Sequence, residues 1–164
     1  MAEPKVVHST FVLERKFAQP ATVVFDAFSD PAKARQWGAG DGSSDVVEFA
    51  RDFREGGVER LVYRMGPQTP FPGTALENDG RFQEIVPGER IVIASAMKLG
   101  GRRISVSQVT FELLPAEEGT ELICTHQGAF LPGSDGPAIR EAGWKTLLDR
   151  LQAVVASAAV SSEA

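Results

Sequence analysis

The chain is 164 residues long, with 43% hydrophobic and 24% charged residues and a formal net charge of -5. That length suits one domain burying roughly 70% of its unfolded surface, and the composition excludes a disordered, collagen-like or coiled-coil chain. The acidic balance opposes nonspecific binding to nucleic acid or an anionic membrane, because both recruit Lys and Arg clusters and the longest basic run is Arg102-Arg103. Residues 1–10 lack the apolar core of a secretory signal, and no run approaches the ~20 apolar residues of a membrane span. The lone Cys124 has no partner for an intramolecular disulfide, so the reading is a cytoplasmic protein in a reducing compartment.

In chain order, residues 11–17 alternate at period two and predict a strand. Pro20 opens a helix whose Val24, Phe25 and Phe28 form one apolar stripe. Asp30-Pro31 ends it and starts a second short helix, with Asp30 as cap and Pro31 in the first turn. That helix stops after Trp37, where Gly38, Gly40 and Gly42 dissolve the periodicity into a flexible turn. Strands are expected over 46–54, 58–65, 80–86, 90–98, 103–114 and 120–130, joined by turns at Glu55-Gly56-Gly57, Pro87-Gly88-Glu89 and 115–119. Residues 66–79 read as a long Pro-containing loop with Phe71 near its tip. Finally, Trp144, Leu147, Leu148, Leu151, Val154 and Val155 predict a helix over 138–158, with the last four residues frayed. One strand, two short helices, six strands and a long helix make a single α+β domain spanning 1–164, with its core in 11–155.

Several landmarks carry a resemblance. Asp30-Pro31 followed by Trp37 resembles the signature of the START-like superfamily, also called the birch-allergen or helix-grip fold. Asp52-Phe53-Arg54-Glu55-Gly56-Gly57 is similar to a hairpin of one branch, the homologues of the activator of the heat-shock protein 90 ATPase. The segment from Glu84 to Arg90, Gly119-Thr120 and Gly143-Trp144 follow in that branch's order. The resemblance implies a curved antiparallel sheet of about seven strands gripping the C-terminal helix, with a hydrophobic cavity between them. Members of the superfamily bind lipids, sterols, hormones or polyketides there, and some catalyse cyclisation or dehydration. Fold alone does not fix which of these applies.

Strand alternation selects the inward side chains. It turns Leu122, Cys124 and His126 inward, together with Val109, Phe111 and Leu113, and extends that row to Ser105 and Ser107. Leu61, Tyr63 and Met65 form a further row, and Ile91, Ile93, Ser95 and Met97 another. With Phe28, Trp37, Trp144 and Leu148 from the helices, and Phe71 as a lid, these are the expected ligand contacts. His126 and Tyr63 are the acid–base candidates, because imidazole titrates near neutrality and a phenol donates to a carbonyl. The alternative reading of each is an ordinary interior residue with an ordinary hydrogen bond. Cys124 reads as a small core residue rather than a nucleophile. The chain carries no dinucleotide or P-loop fingerprint, no nucleophile elbow and no metal-ligand spacing, so no cofactor is expected.

Three functions follow for testing: binding of a small hydrophobic or amphipathic molecule, a cyclase or dehydratase using His126 or Tyr63, and a chaperone-cofactor or other protein-interaction role. The sequence does not decide between monomer and homodimer.

Overall fold

The computed structural model describes residues 2–39 and 44–163, with side chains described up to Ala158. Gly40 and Gly42, read above as part of a flexible turn, lie outside the described residues. Ten elements follow one another: β1 Val7–Phe17, α1 Ala21–Ser29, α2 Pro31–Gly38, β2 Asp45–Arg51, β3 Val58–Arg64, β4 Ala75–Val86, β5 Arg90–Leu99, β6 Arg102–Ala116, β7 Gly119–Phe130 and α3 Pro137–Glu163. The strands form one seven-stranded antiparallel sheet in the order β1-β7-β6-β5-β4-β3-β2, so the first strand closes beside the last. This is the α+β helix-grip arrangement.

Local chemistry sets the boundaries. The Asp30 side chain accepts from the backbone N–H of Ala32 (2.9 Å) and Lys33 (3.2 Å), and Pro31 fills the first helical position of α2. Trp37 donates its indole N–H to the Ala27 carbonyl at 2.9 Å, folding α2 back against α1. Gly57 is required by space: a Cβ there would lie 2.0 Å from the Asp52 carbonyl oxygen, which is the reason for the second glycine in the β2–β3 connection. Gly119 combines φ +118° with a virtual Cβ 2.0 Å from the Phe17 carbonyl oxygen, so the β6–β7 turn abuts the end of β1. Across the β4–β5 turn, Arg90 grips Glu84 with two hydrogen bonds of 2.8 and 3.1 Å.

Two expectations need correction. The connection between β3 and β4 is shorter than the 66–79 loop, because β4 already begins at Ala75. Glu77, Asn78 and Asp79 are poor strand formers, but Arg60 on β3 binds Asp79 (2.7 Å), Glu77 (2.9 Å) and Glu48 of β2 (2.9 Å) across the outer face. The C-terminal helix also continues past Ala158, its expected end, to Glu163, into the last four residues expected to fray. Its 27 residues give a rod of about 40 Å.

Helix α3 is fastened along the β1 side. Arg15 of β1 reaches Asp149 at 3.3 Å, Gln152 donates to the Lys16 carbonyl at 3.0 Å, and Arg150 donates to the Gln36 carbonyl at the end of α2 at 2.7 Å. The core gathers where α1 and α3 meet β1, β7 and β6, with Phe28, Leu122, Leu148, Leu151 and Val155 wholly buried.

Candidate functional site

The register places facing residues in rows across the concave side of the sheet. One row runs Phe11, His126, Val109, Ile93 and Phe82, and all five side chains are buried. The next runs Gly128, Ser107, Ser95 and Gly80. A third runs Phe130, Ser105, Met97, Asn78, Leu61 and Phe49. The inward parity expected for β5, β6 and β7 is therefore the observed one.

The two halves of this surface differ in burial. Packed against α1 and α3, the rows through Phe111 and His126 are buried out to Ile91 and Ile93 of β5 and Phe82 of β4, whereas beyond them the inward Phe49, Leu61, Tyr63, Leu76, Asn78, Ser95, Met97 and Ser107 are only half-buried. The expected ligand contacts divide along that line. Phe28, Trp37, Ile93, Val109, Phe111, Cys124, His126 and Leu148 are closed in packed interior. Leu61, Tyr63, Met65, Met97 and Trp144 are half-buried, and Phe71 is 54% exposed. The connection carrying Phe71 is pinned at its base by Met65–Thr74 and Gly73–Met65 backbone hydrogen bonds of 2.8 and 2.7 Å.

His126 is 1% exposed and enclosed by rings. It stacks on Phe11 with centroids 4.6 Å apart and planes 6° apart, with Phe130 at 6.1 Å and Trp144 at 6.2 Å. Its Nδ1 is the buried side-chain polar atom without a hydrogen-bond partner among the described residues. Burial, reinforced by the Arg140 charge, pushes its pKa down to about 4. At neutral pH His126 is therefore uncharged. Burial pushes the Cys124 thiol up to about 12, which keeps it protonated and poorly nucleophilic.

Sequence reasoning did not single out the charged groups that belong to this surface. Arg51 of β2 donates to the Phe28 carbonyl at 3.1 Å, pairs with Glu59, and lies 5.1 Å from the Phe82 ring centroid and 5.5 Å from that of Phe53. Burial lowers its pKa to about 10, so it stays charged at neutral pH. Arg140 at the start of α3 donates twice to Asp135 (2.8 and 2.9 Å) and once to Ser105 (2.9 Å), over the Phe130 ring. Arg35 of α2 is exposed and lies 5.7 Å from the Phe49 ring centroid. Asn78 was concealed by the misplaced start of β4. Once that strand is extended, its parity with Gly80 and Phe82 turns Asn78 inward.

A separate open hollow of about 290 Å³ lies on the face of α1 turned away from Val24 and Phe28, lined by Thr22, Phe25, Asp26, Ser29, Pro87 and Gly88. Among the described residues no group of three or more His, Cys, Asp or Glu side chains converges to hold a metal ion, and no helix is long and apolar enough to cross a membrane.

The family profile of the Activator of Hsp90 ATPase homolog 1-like protein matches residues 18–156. A solved protein from Rhizobium leguminosarum is 35% identical with a TM-score of 0.84, covering 93% of this chain and 97% of its own. The Mll3558 protein from Rhizobium loti is 42% identical with a TM-score of 0.81, covering 91% and 98%. An AHSA1-like protein from Aeromonas hydrophila, at 20% identity and a TM-score of 0.66 with 92% and 94% coverage, shares the fold. No curated protein matches significantly.

Proposed function

Because the chain belongs to the family of Activator of Hsp90 ATPase homolog 1-like proteins, within the START-like fold, we propose that it binds a small hydrophobic or amphipathic molecule on the open half of the concave sheet face. The reading rests on one observation above all. Inward side chains of β2 to β5, including Leu61, Tyr63 and Met97, remain half-exposed on the face that elsewhere forms the core. An apolar floor with a few polar groups is what such a site needs, and its loss of solvent on ligand binding supplies about 25 cal/mol per Å². The proposal keeps the protein in a reducing compartment, where the buried Cys124 stays a thiol.

Acid–base catalysis draws less support. A general acid or base must reach substrate within hydrogen-bond distance, and the aromatic enclosure of His126 leaves no such approach in this conformation. Tyr63 stands on the open half and belongs to the ligand surface.

The test is titration with N-phenyl-1-naphthylamine, an apolar probe that fluoresces on leaving water. Saturable one-to-one binding is expected, weakened at least tenfold by Met97→Trp, which fills the floor, with the melting temperature little changed. Absence of saturable binding, or a Met97→Trp variant that binds like the parent, would count against the site.

A further inference from the structure

Resting on that binding role, we infer that the ligand is an uncharged molecule with a hydroxyl or carbonyl head on an apolar body, and that Asn78, Ser95 and Ser107 receive the head. Three polar side chains of the open floor, Asn78, Ser95 and Ser107, are weakly paired among the described residues. Ser95 and Ser107 face each other across β5 and β6 with their oxygens 3.5 Å apart, at the outer limit of a hydrogen bond. The Asn78 amide, one diagonal step from Ser95, makes no side-chain hydrogen bond among the described residues although it is half-buried beside Met97 and Leu61. A half-buried amide offers two donors and an oxygen acceptor, and the hydroxyls offer a donor and lone pairs each. These side chains are open to water in the free protein, and a head that bonds them replaces the water an apolar body alone would strip away uncompensated.

Charge points the same way. The two buried guanidinium groups on the concave face are already paired, Arg51 with Glu59 and Arg140 with Asp135. Seating an anion would require breaking one of those pairs and leaving a carboxylate uncompensated, which is far costlier than bonding a neutral head. Arg35, at the edge of β2, is exposed and lies over Phe49, where water screens its charge. In the row of Ser95 and Ser107, the space over Gly80 and Gly128 is taken by Ile93, His126 and Phe130, so the apolar body of the ligand lies toward Met97 and Leu61.

The experiment is displacement of N-phenyl-1-naphthylamine at pH 7 by decan-1-ol and by decanoate, chains of equal length that differ in head charge. Decan-1-ol is expected to bind at least tenfold more tightly. Ser95→Ala and Asn78→Leu are each expected to weaken decan-1-ol about fivefold more than they weaken the probe. Decanoate binding as well as or better than decan-1-ol, above all if Arg35→Gln abolishes it, overturns the inference and leaves the binding role standing. Probe binding that neither compound displaces likewise overturns the inference alone. No binding of the probe itself overturns the binding role, and the inference with it.

Discussion

Protonation of His126 gives a pH signature that follows from its enclosure. Its folded pKa lies near 4, against an ordinary 6.5, with burial as the main cause. Between those values the unfolded chain holds more protons than the native one, so stability rises with pH across that window. Its contribution is complete above about 6.5 and is lost as pH falls toward 4. Lowering the pH from 7 to 5 should cost about 2 kcal/mol through this group alone. With a urea slope of about 2 kcal/mol per M, the unfolding midpoint moves down by about 1 M. The assay is urea unfolding followed by Trp37 and Trp144 fluorescence at pH 7 and pH 5, for the parent and His126→Phe. Phenylalanine preserves the stack on Phe11 and removes the titrating group. Its larger ring strains the space beside Gly128 and Phe130, while loss of the unpartnered Nδ1 works in the opposite direction, so the pH difference is the readout rather than the stability at one pH. Asp135, whose carboxyl is held below its usual value by Arg140 despite burial, titrates in both proteins and cancels. An equal pH 7 to 5 loss in parent and variant would refute the reasoning.

Other predictions are independent of the ligand. Native protein at pH 8 should leave Cys124 unmodified by a disulfide reagent and release one thiol per chain on unfolding, because its thiol is pushed up to about 12; rapid labelling of the native state would contradict this. Gly119→Ala should lower stability by more than about 2 kcal/mol in thermal unfolding, since its Cβ meets the Phe17 carbonyl oxygen, and an unchanged melting temperature would show that the turn relaxes freely. Asp30→Ala removes the cap of α2 and should cost about 1 kcal/mol, with Asp30→Ser recovering most of it.

The sequence was legible where one signal dominated. Asp30-Pro31 specified the start of α2 to the residue because cap and first-turn chemistry agree. Strict alternation on β6 and β7 turned Phe111, Cys124 and His126 to the correct face. What alternation does not carry is the distance to the opposing layer. Phe111, Val109 and His126 share the inward face with Leu61 and Met97, yet α1 and α3 cover only the first group. The coverage depends on where α3 crosses the sheet, and that crossing is held by long-range bonds such as Arg15 to Asp149 and Gln152 to Lys16. The start of β4 was hidden for a different reason. Its Glu77-Asn78-Asp79 composition opposes a strand, and only the cross-strand pairing with Arg60 reverses that preference. Asn78 was missed along with it. Phe71, an apolar residue in the β3–β4 connection, is more than half exposed, and nothing in local pattern distinguishes such a residue from a buried one.

The central claim, that the half-open floor of β2 to β5 takes an apolar ligand, is tested most directly by methyl NMR of methionine-labelled protein titrated with decan-1-ol. The chain has three methionines, and two of them, Met65 and Met97, belong to this region. The account predicts a saturable shift of the Met97 methyl with nuclear Overhauser contacts to the alkyl chain. Saturable binding that leaves Met97 unshifted and without ligand contacts would contradict it.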